Sequence, residues 1–132
     1  MTKKLSCIML IDDNANDNFF HEREINKSDS NQLVVVKDSG ELALEYISAG
    51  TLPLSNLILL DINMPGMNGW EFLKKYGELD IKLREYAVII MLTTSDNIDD
   101  RTRASEFPFV KSYTTKPLTR QKIDSICKTF FI

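Results

Sequence analysis

Five short apolar runs punctuate the chain, at residues 7–11, 33–36, 57–60, 87–92 and 109–113. They are near-continuous and rich in Val, Ile and Leu, as strands buried on both faces must be. Helical periods fill the gaps. Leu42, Ala43, Tyr46 and Ile47 recur on one face, with Ser39 placed to cap the helix and Gly50 to stop it. Phe72, Leu73 and Tyr76 make a second apolar face, and Ile123, Ile126, Cys127 and Phe130 a third at i, i+3, i+4, i+7. Residues 16–27 are good helix formers with a weak stripe, Phe20 and Ile25, which puts His21 on a solvated face. Residues 97–106 predict a short helix, with Asp96, Asp99 and Asp100 as first-turn charge. Five strands alternating with five helices predict an α/β fold: a doubly wound five-stranded parallel sheet, strand order 2-1-3-4-5. In such sheets crossovers are right-handed and ligands bind beyond the carboxyl ends of the strands.

Composition narrows the class. At 132 residues and 43% hydrophobic content the chain is sized for one domain with a real core. Its net charge of −3 supplies no basic field for nucleic acid or an anionic membrane. Cys7 and Cys127 lie in apolar stretches far apart, which suits buried free thiols in a reducing cytosol. Lys3 and Lys4 precede the first apolar run, but it is short and ends in Asp12-Asp13, with no cleavage site.

The residues after each strand carry the chemistry. Asp12 and Asp13 follow the first, Asp61 the third, Thr93 and Thr94 the fourth, and Lys116-Pro117 the fifth. In the predicted sheet these converge on one crevice. Singly, each aspartate is also an ordinary turn residue or helix cap, and Thr93 an ordinary strand filler. Together, three carboxylates and one ammonium favour a hard divalent cation, and oxygen-only ligands favour Mg²⁺ over zinc. Such a site can align a phosphoryl donor with a carboxylate nucleophile.

Four fragments stand in order, each at a strand end: Ile11-Asp12-Asp13-Asn14; the run Leu59-Leu60-Asp61-Ile62-Asn63-Met64-Pro65-Gly66-Met67-Asn68-Gly69; Met91-Leu92-Thr93-Thr94; and Tyr113-Thr114-Thr115-Lys116-Pro117. By these the chain resembles the receiver domain of two-component response regulators, over essentially its whole length. The resemblance implies a flavodoxin-like (βα)5 domain spanning 1–132, with no output domain. It implies Asp61 as phosphoacceptor, and Mg²⁺ bound by Asp12, Asp13, Asp61 and the backbone carbonyl of Asn63. It further implies Lys116 as the phosphoryl partner, a cis bond between Lys116 and Pro117, Thr93 as switch hydroxyl and Tyr113 as the aromatic that turns inward. The implied partners are a sensor histidine kinase or histidine phosphotransfer protein, then a downstream target protein, in the cytoplasm, without DNA or membrane. Such a protein is a switch that catalyses only its own phosphorylation and dephosphorylation.

The sequence departs from that family at Glu106-Phe107-Pro108-Phe109, where a Gly-Ala pair is usual, and at Thr94, often Ala, which narrows access to Asp61. Asn63 and Ser95 occupy positions that vary with phosphoryl lifetime. A receiver-like binding module that ignores phosphorylation is the alternative. A flavin binder of the same sheet order would need a phosphate loop where Asp12-Asp13-Asn14 stands. An aspartyl phosphatase would need a carboxylate at Asn63. Trp70 reads as a packing residue, and the apolar tail Phe130-Phe131-Ile132 as the end of the last helix's core face, with an exposed patch for a partner as the alternative.

Overall fold

Why the strands form where they do follows from burial on both sides. The computed structural model describes residues 4–28, 33–94 and 97–132. The elements run β1 (Cys7–Ile11), α1 (Ala15–Lys27), β2 (Leu33–Lys37), α2 (Gly40–Ser48), β3 (Leu57–Asp61), α3 (Gly69–Tyr76), α4 (Ile81–Tyr86), β4 (Val88–Thr93), α5 (Ile98–Ala104), β5 (Val110–Thr115) and α6 (Arg120–Phe130). All strands pair in parallel in the order β2-β1-β3-β4-β5. The doubly wound sheet is thus as the apolar pattern predicts.

Alternation sorts the side chains into two cores. Met9, Ile11, Ile58, Leu60, Ile89 and Met91 face α2, α3 and α5, where Ala43, Phe72, Leu73, Tyr76 and Ala104 meet them. Ile8, Leu10, Leu57, Leu59, Ile90 and Leu92 face α1 and α6, represented by Ile25 and Ile123. The central β1 and β3 are buried along their whole length, whereas the edge strands β2 and β5 are half-exposed. Asn56 staples the entry side: its Oδ1 accepts from the Ser6 and Cys7 N–H groups at 3.0 and 3.4 Å, and its Nδ2 donates to the Lys4 carbonyl at 2.8 Å.

Several expectations need correction. Among the described residues there are six helices, not five, because α4 forms between α3 and β4 with no buried residue of its own. It is held by an Asp80 cap and by the Tyr76 hydroxyl, which donates to the Arg84 carbonyl at 3.2 Å. His21 is buried, not solvated. The inward stripe of α1 is Asn18, His21 and Ile25, spaced i, i+3, i+7, while Phe20 is partly exposed. The imidazole Nδ1 and the Asn18 Oδ1 have no hydrogen-bond partner among the described residues. Burial, then the nearby Lys116 charge, holds His21 below its ordinary 6.5, so it is neutral. Strand β5 starts one residue later than the apolar run, freeing Phe109 to meet Tyr76 edge-on at 5.0 Å. Phe107 stacks on Trp70 at 6.5 Å, so the unusual Glu106-to-Phe109 approach is an aromatic bridge onto α3. Cys7 is buried as expected, but Cys127 is only half-buried. Phe131 is buried, and Ile132 beyond it is exposed. Ser95 and Asp96 lie outside the described residues, as does Lys3.

Candidate functional site

The first strand delivers its carboxylate by ending. Backbone pairing carries one residue past β1, with the Asp12 N–H donating to the Lys37 carbonyl at 3.1 Å. The Asp12 side chain is buried: its Oδ1 accepts from the Asn14 N–H at 3.0 Å, and its own carbonyl accepts from Asn18 Nδ2 at 2.7 Å. Asp13 points to the exposed side of the same turn. Asp61 is the last residue of β3, and the Ile62 N–H behind it donates to the Leu92 carbonyl at 3.2 Å.

A glycine closes the loop that follows. A Cβ on Gly69 would lie 2.8 Å from the Asp61 carbonyl oxygen and 2.9 Å from the Ile62 Cα, so only glycine lets α3 begin against this backbone. Gly66, at φ +72, makes the turn before it. Helix α3 then starts with a reciprocal cap between Asn68 and Glu71.

Lys116 enters from beyond β5. Its N–H donates to the Thr93 carbonyl at 2.7 Å, which ties the ends of β4 and β5 together, and its bond to Pro117 is cis. The ammonium lies 2.7 Å from Asp12, 2.9 Å from Asp17 and 3.2 Å from Asp61. Burial would depress the Lys116 ammonium, but hydrogen bonds to Asp12 and Asp17 and the surrounding carboxylates outweigh it, and the net shift is upward. Asp61 moves the other way for an anion. Burial first, then repulsion from Asp12, pushes it up from an ordinary 3.8 to about 6, although Lys116 pulls it down.

The sequence-expected residues fall as follows. Asp12, Asp13 and Asp61 converge, and Lys116 joins Asp12 to Asp61. Thr93 ends β4, buried, and pairs in register with Thr115. Tyr113 is half-buried with the Arg101 guanidinium 5.2 Å above its ring, opposite Met91 and so two register steps before Thr93. Asn63 is exposed in the loop after Asp61, and Thr94 is exposed at the rim. Asp17 is the residue the sequence reading missed. As the third residue of α1 it looks like ordinary first-turn charge, and that explanation hides its contact with Lys116.

The donor set suits a hard cation. Asp12, Asp13 and Asp61 each present an oxygen within 4.8 Å of the others, with neither His nor Cys among them. Four carboxylates, Asp12, Asp13, Asp17 and Asp61, stand against one ammonium, and repulsion from Asp12 adds to burial in raising Asp61, so the site carries a surplus of negative charge. A divalent cation with oxygen preference fits that surplus.

An acidic pocket closed by one lysine, at the carboxyl rim of a doubly wound five-stranded sheet, defines a receiver-type domain. Residues 8–128 match the response regulator receiver domain, and the chain belongs to that family. It is 39% identical over 104 residues to the two-component response regulator ARR5 of Arabidopsis thaliana, covering 72% of this chain and 54% of that protein. It is 32% identical over 98 residues to ORR6 of Oryza sativa subsp. japonica, covering 74% of this chain and 56% of that one. The chain therefore spans little more than half the length of these curated relatives. A two-component response regulator from Cytophaga hutchinsonii superposes with a TM-score of 0.87 at 25% identity, over 97% of this chain and 98% of the other. The phosphorylated cyanobacterial phytochrome response regulator RcpA superposes with a TM-score of 0.80 at 26% identity, over 96% and 94%.

Proposed function

We propose that Asp61 accepts a phosphoryl group from a phosphohistidine on a sensor histidine kinase or histidine phosphotransfer protein, and that the protein then signals by phosphorylation-dependent binding to a target protein in the cytoplasm. The observation that carries this reading is Lys116 bridging Asp12 and Asp61 beside the exposed Asp13. At neutral pH an Asp61 held at about 6 is mostly carboxylate, and so nucleophilic. One of its oxygens attacks phosphorus, the P–N bond breaks, and the imidazole leaves with the electron pair and takes up a proton.

Asp12, Asp13, Asp61 and the Asn63 carbonyl would hold Mg²⁺, which when bound supplies positive charge to the phosphoryl oxygens. Lys116 meets another of those oxygens, and the Thr93 hydroxyl donates to a third. Since Thr93 and Lys116 share a backbone hydrogen bond, movement at either is felt at both strand ends. The phosphorylated relative RcpA supports the chemistry by family likeness. Tyr113, on β5 with Arg101 of α5 over its ring, would pass the change to the face of α5, β5 and α6.

Intact mass after incubation with Mg²⁺ and acetyl phosphate tests the reading. A phosphoryl adduct on the wild type and none on Asp61→Asn is expected, with fluoroberyllate binding as the control for rapid hydrolysis. Absence of both in the wild type would sink it. Target affinity indifferent to fluoroberyllate would favour the phosphorylation-independent binding module instead.

A further inference from the structure

Lys116 has no donor to spare. An ammonium carries three N–H groups, and its Nζ lies within hydrogen-bonding distance of three carboxylates: Asp12 at 2.7 Å, Asp17 at 2.9 Å and Asp61 at 3.2 Å. To meet a phosphoryl oxygen it must release one of them. Asp12 is buried, tied to the Asn14 N–H and part of the candidate metal cluster. Asp61 is the group that reacts. Asp17 belongs to neither set, and its side chain is 37% exposed against 3% and 5% for the other two. Water can therefore replace Lys116 at Asp17 at the smallest cost.

We propose that Asp17 is a positioning residue that holds Lys116 in the resting site and competes with the incoming phosphoryl group for its ammonium. This rests on the reading of Asp61 as phosphoacceptor. Asp17 acts in two ways on an anionic donor. It occupies one Lys116 proton, and it adds a fourth negative charge beside the crevice. Both slow capture of the phosphoryl group and both favour its loss, since the carboxylate waits within reach to reclaim the lysine. The exchange is local: α1 need not move, because the Asn14 cap fixes the backbone of Asp17 through a 3.0 Å bond to its N–H.

The test compares wild type, Asp17→Asn, Asp17→Ser and Asp17→Glu. Calorimetry gives Mg²⁺ affinity first, then fluoroberyllate affinity at saturating Mg²⁺, and intact mass follows the acetyl phosphate rate. Asp17→Asn and Asp17→Ser should bind fluoroberyllate about 5-fold tighter, the scale of one part-exposed ion pair, and phosphorylate faster by a similar factor. Mg²⁺ affinity should stay within about 2-fold, because Asp17 is outside the metal cluster and acts only through screened charge. Asp17→Glu should resemble wild type. Unchanged or weaker fluoroberyllate binding in both neutral variants overturns the inference, as does a proportional change in Mg²⁺ affinity, which marks a general charge effect. Failure of the receiver reading is separate: it shows as a wild type that takes neither fluoroberyllate nor phosphoryl group, whatever the variants do.

Discussion

Replacing Asp61 by asparagine should make the protein more stable, and the site's electrostatics give the size and the pH window. The carboxyl is 5% exposed and rises from an ordinary 3.8 in the unfolded chain to about 6 in the fold. A raised carboxyl favours folding only while protonated. Below the unfolded value both states carry the proton and there is no penalty. As pH climbs from about 4 to about 6 the unfolded chain ionises first, and stability falls; above about 6 the full penalty, about 3 kcal/mol, is in place. Asparagine has nearly the same shape and no charge, and Lys116 keeps Asp12 and Asp17. Urea unfolding with chelator present should therefore show Asp61→Asn ahead by about 2–3 kcal/mol at about pH 7.5 and level with wild type near pH 4. Added Mg²⁺ should narrow the gap, since it binds the native wild type more tightly than the variant. A gap independent of pH, or a variant weaker than wild type at neutral pH, would refute the electrostatic argument.

Two packing predictions accompany it. Gly69→Ala places a methyl against the Asp61 carbonyl and the Ile62 Cα, backbone atoms that cannot swing away, and should cost about 1–3 kcal/mol in urea unfolding while slowing phosphoryl uptake. Asn56→Ala strips partners from the Ser6 and Cys7 N–H groups and the Lys4 carbonyl, and should cost about 2–3 kcal/mol in the same assay with phosphoryl uptake retained in the folded fraction.

The sheet and most of the pocket were legible for one reason. A strand buried on both faces has to be apolar throughout, so the first polar residue after the run marks the rim: Asp12 after β1, Asp61 closing β3, Thr93 closing β4. What stayed hidden lacks that contrast. Helix α4 buries nothing, and its Ile81 and Tyr86 are exposed, so no stripe announces it. His21 counts as polar in any hydropathy pattern, yet burial keeps it neutral and it takes an apolar residue's place. Asp17 obeys a helix-terminus rule so well that its second contact leaves no trace in the pattern.

The strands all run one way, and that gives the molecule two rims with different freedoms. Every chemical group described stands on the rim where strands end. The opposite rim holds the Asn56 staple, α4 and the aromatic approach to β5. Residues 49–54 and 77–80 are therefore natural joints for a fused reporter or relocated termini. A fluorescent insertion there would leave the acidic crevice intact.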